Sequence, residues 1–137
     1  MNNTNQPLRP PTLYERTLIG ALIDGAGESK SALRQQIETA LVAFVSEGDR
    51  FHISIFPDRA AALPYEGERR LPATATARDD EGGPLLVDLF TEDGYLTECE
   101  VTRADGGVLV GRPNPSRMRF YDTSGDPEGS VRHLEMP

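Results

Sequence analysis

Apolar and polar residues alternate along LLVDLFTEDGYLTECEV, residues 85–101. This alternation is typical of two antiparallel strands joined by a tight turn. The pattern predicts a three-residue loop at positions 92–94, in which Gly94 takes the left-handed conformation that closes such a turn. In that register Phe90 pairs with Leu96 across the hairpin.

The two faces of this predicted hairpin differ in character. One face is expected to lie in the core and carries Leu85, Val87, Leu89, Cys99 and Val101, together with Thr97. The other face is mixed and carries Leu86, Asp88, Phe90, Leu96, Glu98 and Glu100. A two-residue loop is disfavoured, because it would set the apolar Leu89 opposite Glu98.

Three interpretations of the mixed face are open. In the predicted register Asp88 lies directly across from Glu98, and such a like-charge pair costs stability unless water, a cation or a basic partner relieves it. A solvated sheet face is the simplest interpretation, because antiparallel sheets commonly expose one side to water. A docking surface is the second, since the apolar residues of this face need cover. A metal site or a pair of acid/base carboxylates is the third.

A first amphipathic helix is predicted near the start of the chain. The residues from Thr12 to Glu15 form a capping box, in which each of these two side chains bonds the backbone N–H of the other residue. An apolar stripe follows at Tyr14, Leu18, Ala21 and Leu22. Gly25 or Gly27 suits the C-terminal end of this helix.

A second helix is predicted to begin near Ser31. Its apolar positions at helical spacing are Leu33, Ile37, Ala40 and Leu41. Phe44 continues the stripe, but LVAFV is rich in strand-forming residues, so a change from helix to strand near Leu41 is preferred.

The rest of the chain is divided into predicted strands and turns. Strands are predicted at residues 51–56, Ala73–Arg78, Leu85–Phe90, Tyr95–Thr102 and Gly107–Arg112, and MRFYD and SVRHLEM could each add a short strand. Residues 57–72 are interpreted as a long loop. The predicted fold is α+β, with two N-terminal helices packed on an antiparallel meander sheet of about five or six strands. Residues 1–11 form a lead-in, 12–112 a single domain and 113–137 a tail rich in proline and glycine.

Charge narrows the classes of partner. The chain has a formal net charge of −8, which argues against nucleic acid and anionic membranes because phosphate binding depends on basic surface. Between Asp79 and Asp105 there are nine acidic residues and one basic residue, whereas the other 110 residues carry equal numbers of each sign. Such a localised field would steer a basic partner. The alternative is that the acidity merely aids solubility and discourages edge pairing.

The sequence offers little catalytic chemistry. His52 and His133 are the two histidines and Cys99 is the single cysteine, so no zinc set can be assembled from Cys and His alone. No catalytic or phosphate-loop motif is present, and DDEGGP lacks the ligand pattern of a calcium loop. We therefore expect no catalytic residue, no metal and no cofactor. The N-terminus lacks a signal-peptide pattern, and a cytoplasmic location is the expectation.

The chain resembles an uncharacterised family of short bacterial proteins in which two helices precede a hairpin-rich sheet. The resemblance rests on LRQQIETALVAFVSEGDRFHISI and ARDDEGGPLLVDLFTEDGYLTECEVTRADGGVLVGRP and covers roughly residues 8 to 113. The matching positions are Asp80, Gly82, Gly83, Asp93, Gly94, Leu96, Glu98 and Asp105. Proteins of this character are similar to small immunity proteins of bacterial toxin systems, which inhibit a toxin by surface complementarity.

The leading hypothesis is therefore a non-enzymatic acidic module that docks a basic protein, such as a toxin. Its expected partner-binding residues are Asp88, Phe90, Glu92, Asp93, Leu96, Glu98 and Glu100. Two alternatives remain: a small-molecule-binding or hydrolytic domain that uses Asp88 and Glu98 as paired carboxylates, and a homo-oligomeric structural subunit. The apolar groups of the mixed face could equally be covered by the C-terminal tail or by a second copy of the chain.

Overall fold

The computed structural model describes residues 7–25, 30–64 and 73–122. These residues form two helices and six strands. The helices are α1 Leu13–Gly25 and α2 Lys30–Thr39, and the strands are β1 Leu41–Glu47, β2 Arg50–Phe56, β3 Ala73–Arg78, β4 Pro84–Glu92, β5 Tyr95–Arg103 and β6 Arg119–Asp122. The α+β class, the two N-terminal helices and the antiparallel sheet are confirmed. A short 3-10 helix, Pro115–Arg117, precedes β6.

The six strands form one antiparallel sheet in the order β1-β2-β5-β4-β3-β6. Strands β1 and β2 form a hairpin, and β3, β4 and β5 form a meander. Strands β2 and β3 follow each other along the chain but are not neighbours in the sheet. The neighbour of β2 is β5, and β4 and β5 lie between β2 and β3. The predicted possibility that MRFYD adds a strand is confirmed, because β6 pairs with β3 at one edge. SVRHLEM lies outside the described residues.

The capping box at the start of α1 is confirmed by two reciprocal hydrogen bonds. The Thr12 hydroxyl accepts from the Glu15 backbone N–H at 3.1 Å, and Glu15 Oε1 accepts from the Thr12 backbone N–H at 2.8 Å. Arg9 adds a paired contact to the same carboxylate, at 2.7 and 2.8 Å. These hydrogen bonds, with Arg9 the largest contribution, hold the pKa of Glu15 below its usual 4.5 despite burial.

The N-terminal segment is also bonded to the sheet. Arg9 and Val42 form a short antiparallel bridge, in which the backbone N–H of Arg9 donates to Val42 O at 3.1 Å and the N–H of Val42 donates to Arg9 O at 2.7 Å. The bridge occupies backbone groups of β1 at an edge of the sheet, where no other strand of the described residues lies beside them.

The hydrophobic core lies between the two helices and one face of the sheet. Its largest fully buried side chains are Leu18, Ile19, Leu22, Ile23, Leu33, Phe51, Ile53, Leu85, Leu89 and Leu96. The change from helix to strand at Leu41 is confirmed. In the strand, Val42 points into the core while Leu41 points outward, an alternation that a continuing helix could not produce.

The register of the β4–β5 hairpin differs from the prediction. The turn has two residues, Asp93 and Gly94, both with positive φ (54° and 86°), as a type I′ turn requires. A bulge follows at Thr97, because Leu96 pairs with Thr91 while Glu98 pairs with Phe90. The extra residue restores the alternation, so the predicted core face is correct for β4 and for most of β5.

Leu96 is the exception, and its predicted place on the mixed face is wrong. It lies before the bulge, so it shares the face of its partner Thr91 and is fully buried in the core, at 0% exposure. The predicted pairing of Phe90 with Leu96 is wrong for the same reason.

The strand predicted at Gly107–Arg112 does not form. Gly106 and Gly111 take positive φ values of 80° and 78°, which interrupt an extended strand. The segment is held instead by separate backbone bonds, such as the Asp80 N–H to Val110 O at 2.9 Å. The pattern VLV was typical of a strand, but it contributes no strand pairing here.

Candidate functional site

The sheet face opposite the helices, which we call the open face, is the candidate site. Strand alternation places on it Leu41, Ala43 and Val45 of β1, His52, Ser54 and Phe56 of β2, Glu98 and Glu100 of β5, Leu86, Asp88 and Phe90 of β4, and Thr74 and Thr76 of β3. Among the described residues, both helices pack on the other face, since their buried side chains join the core cluster. Within the described part of the chain no helix therefore covers the open face, although Ala43, Val45, Thr74 and Thr76 on it are buried, at 8%, 9%, 7% and 0% exposure.

Three carboxylates lie at the centre of the open face. Asp88 is directly across from Glu100, and Glu98 is across from Phe90. The predicted opposition of Asp88 and Glu98 is therefore wrong, and the adjacent like charges are Asp88 and Glu100. The Thr74 hydroxyl donates to Asp88 Oδ1 at 3.0 Å, which satisfies part of that carboxylate.

Strand β2 brings basic groups to the same carboxylates. Arg50 Nη1 lies 3.4 Å from Glu100 Oε2, and His52 Nδ1 lies 3.7 Å from Glu98 Oε2. Both contacts are partly solvated, and the positive charge of Arg50 reduces the local field without forming a strong pair. These contacts could not be predicted from the hairpin segment itself, because residues 50 and 52 are far from it along the chain.

Two large apolar side chains lie exposed at one corner of the open face. Leu41 and Phe56 are direct partners across β1 and β2, and they are 41% and 49% exposed. Phe90 is partly buried on β4, in the row next to Glu98. Sequence reasoning missed Leu41 and Phe56. The signal that could have identified Phe56 was its spacing of four from His52 in FHISIF. Residues four apart in a strand point to the same face, so Phe56 lies on the same outward face as His52.

The structure divides the predicted partner-binding residues into three places. Asp88, Phe90, Glu98 and Glu100 share the open face. Glu92 and Asp93 lie exposed at the turn of the hairpin, beyond the end of that cluster. Leu96 is in the core.

Other acidic residues of the segment 79–105 lie at the opposite end of the strands. The buried carboxylate of Asp79 accepts from the backbone N–H groups of Glu81, Gly83 and Val110 at 3.0, 2.7 and 3.0 Å. Arg103 Nη1 donates to the same carboxylate at 3.2 Å. Burial raises the pKa of Asp79, but these bonds outweigh it, so the pKa lies below the usual 3.8.

The Arg103 guanidinium fixes two loops at once. It also lies 3.0 Å from Asp105, and it packs so closely on Gly83 that a Cβ at residue 83 would force the guanidinium to move. The acidity that looks continuous along the sequence is therefore divided in space, and part of it serves to hold loops.

The described residues contain no group of three or more His, Cys, Asp or Glu side chains placed to hold a metal ion.

Cys99 is fully buried, as predicted. Burial raises the pKa of its thiol, and the neighbouring charges of Asp88, Glu98 and Glu100 raise it further. Within the described part of the chain, both helices fall short of the length and apolar character needed to cross a membrane.

Comparisons with protein-family models, with curated proteins and with solved structures found no match to this chain.

Proposed function

We propose that this chain is a non-enzymatic protein-binding module whose open face docks a basic partner protein. The observation that supports this proposal is the placement of Phe56 and Leu41, both substantially exposed, on a sheet face that no described helix covers and that also carries Asp88, Glu98 and Glu100. Interfaces combine apolar anchors with a polar surround in this way.

The chemistry of the face fits a basic partner better than a neutral one. The contacts from Arg50 and His52 to the glutamates are long and partly exposed, and an exposed ion pair such as that of Arg50 contributes about 0 to 1 kcal/mol. A lysine or arginine of the partner can therefore replace them at little cost. Burial by the docked partner would then strengthen the attraction within the new pair, which has to offset the cost of removing both charges from water.

The form of binding module that we propose is a cytoplasmic inhibitor of the immunity-protein type. Such an inhibitor blocks its target by occupying a complementary surface, and it needs no catalytic group of its own. This choice follows the resemblance to short bacterial proteins that we proposed from the sequence, and the comparisons found no match that bears on it. The partner would be a toxin with a basic surface.

The test begins with affinity capture of the partner from the native host, followed by binding kinetics at two salt concentrations. Glu98→Lys should slow association and flatten its salt dependence. The control is Glu38→Lys, which makes the same charge change at an exposed position of α2 and should leave the kinetics unchanged.

Three results would count against the proposal. Equal rates for Glu98→Lys and wild type would remove the open face from the interface. A second result concerns self-association: if light scattering shows that the wild type dimerises and Glu98→Lys does not, the face joins two copies of this chain instead of binding a basic protein. To test the inhibitor role itself, the chain would be co-expressed with the captured partner, and failure to relieve its toxicity would contradict that role.

A further inference from the structure

A polar cavity of about 330 Å³ lies at the loop end of β3, away from the exposed apolar corner of the open face. Three arginines line it: Arg78 at the end of β3, Arg112, and Arg117 in the 3-10 helix. Asn114 and Asp80 also line it. A grouping of three guanidinium groups is unexpected in a chain whose net charge is −8.

The cavity is positively charged once its carboxylates are considered one by one. Asp79 contributes to the wall, but its two oxygens already accept from three backbone N–H groups and from Arg103. Its charge is therefore compensated within the protein. Three arginines against the carboxylate of Asp80 leave the cavity with a formal charge of +2.

Two of the arginines are held in place by neighbours that do not neutralise them. The guanidinium of Arg112 stacks over the Tyr14 ring, 4.2 Å from its centroid, and the Tyr14 hydroxyl donates to Pro113 O at 2.6 Å. Arg78 Nη1 donates to Gly82 O at 2.7 Å. Within the described part of the chain, none of Arg78, Arg112 and Arg117 forms an ion pair with a carboxylate.

Asn114 adds donors of another kind. Its side-chain oxygen accepts from the backbone N–H and the hydroxyl of Ser116, at 3.0 and 2.8 Å. These bonds occupy the oxygen and leave the amide N–H₂ group to donate elsewhere. The cavity is thus lined by guanidinium and amide donors and by one carboxylate acceptor.

We propose that this cavity binds a small molecule that carries a phosphate monoester. At neutral pH such a group has a charge of about −1.5 to −2, which matches the charge of the cavity, and arginine forks bind its oxygens in pairs. The volume lies at the lower end of the range for small-molecule sites, about 300 to 1,000 Å³. Asp80 can accept a hydrogen bond from a hydroxyl of the same ligand. This site goes beyond the protein-docking function proposed above and does not depend on it.

The test uses the full chain and isothermal titration calorimetry with inorganic phosphate, glycerol 3-phosphate and malonate as separate probes. We expect saturable binding of glycerol 3-phosphate, tighter than that of malonate. The double variant Arg112→Ala/Arg117→Ala should weaken it by at least about tenfold, because two charge-assisted forks are lost. Thermal unfolding of the variant checks that it remains folded.

A matched control is Arg34→Ala, which removes an exposed arginine from α2 and should leave the affinity unchanged. Equal weakening in this control would mean that the ligand responds only to overall charge, and the proposal would be wrong. Absence of saturable binding by either phosphate probe would also overturn it. Tighter binding of malonate than of glycerol 3-phosphate would overturn the phosphate assignment. Arg112→Lys keeps the charge but loses the fork, so retention of full affinity by that variant would contradict recognition by paired hydrogen bonds.

Discussion

The side chain of Gln36 in α2 accepts a hydrogen bond of 2.8 Å from the backbone N–H of Leu96 in β5. Its amide nitrogen donates to the backbone oxygens of Gly94 and Leu63, both at 2.9 Å. Gln36 is fully buried, so these bonds satisfy three backbone groups where few other partners are available. One helical side chain therefore joins α2 to the hairpin turn and to the loop after β2.

We expect Gln36→Ala to destabilise the protein by about 3 kcal/mol, because it leaves buried donors and acceptors without partners. The neighbouring Gln35 is exposed on the same helix and provides the control. Gln35→Ala should change the free energy of unfolding by less than about 0.5 kcal/mol. Urea denaturation of both variants measures the difference. If both variants lose the same free energy of unfolding, the three hydrogen bonds of Gln36 do not contribute to stability beyond the effect of changing glutamine to alanine in this helix.

The buried carboxylate of Asp79 should make stability depend on acid pH. Its folded pKa lies below 3.8, so its ionisation contributes stability that is fully present above that value and is lost as the pH falls towards the folded pKa. Asp79→Asn should cost about 3 kcal/mol at pH 7, since Arg103 loses the buried one of its two carboxylate partners, and the difference from wild type should shrink below about pH 4.

The control for this prediction is Asp93→Asn, at an exposed turn position where asparagine tolerates the positive φ. Urea midpoints at pH 7 and pH 3 give the comparison. If the gap between Asp79→Asn and wild type is the same at both pH values, the carboxylate is not the source of the acid sensitivity.

Cys99 should be unreactive in the native protein. It is fully buried, and its thiol pKa is raised by burial and by nearby carboxylates, so almost no thiolate is available to attack a reagent. Labelling by a thiol reagent should require denaturant. Cys99→Asp should destabilise by several kcal/mol as a buried charge, whereas Cys99→Ala should cost only about 1 kcal/mol. Rapid labelling without denaturant would contradict the buried position.

Phe56 should contribute to binding more than to folding. It is 49% exposed on the open face, so we expect Phe56→Ala to change the free energy of unfolding by less than about 1 kcal/mol. Dissociation of the partner should become at least about tenfold faster, because an interface anchor is lost. Leu13 is 81% exposed on α1, and Leu13→Ala is the control for removal of an exposed apolar side chain. Unchanged dissociation in Phe56→Ala would exclude this corner from the interface.

The two faces of the β4–β5 hairpin could be predicted because successive side chains of a strand point to opposite faces, so a residue's face depends only on whether its position is odd or even. The turn was predicted one residue too long and the bulge at Thr97 was not foreseen, yet the two differences together shift the register by two residues. A shift of two returns each side chain to its original face, which is why Cys99 and Val101 were placed correctly. Leu96, between the turn and the bulge, is the position where the parity argument fails.

Contacts between distant parts of the chain could not be predicted in the same way. Asp79 and Arg103 are 24 residues apart, and nothing in either local sequence indicates that they pair. Leu41 and Phe56 become an exposed apolar pair because they are partners across β1 and β2 and both point away from the core. The arginine-lined cavity likewise depends on the packing of residues 112–117 beside the end of β3.

The bridge between Arg9 and Val42 has a consequence for aggregation. Strand β1 is an outer strand of the sheet, and the free backbone groups of an outer strand can recruit a strand from another molecule. Arg9 occupies the N–H and the C=O of Val42, while its guanidinium is held by Glu15. Arg9 thus blocks part of this edge against pairing with a strand of another molecule. It is held there by its backbone bonds to Val42 and by its side-chain bonds to Glu15. Loss of the Glu15 carboxylate would release one of these attachments and leave β1 more open to fibril-like pairing.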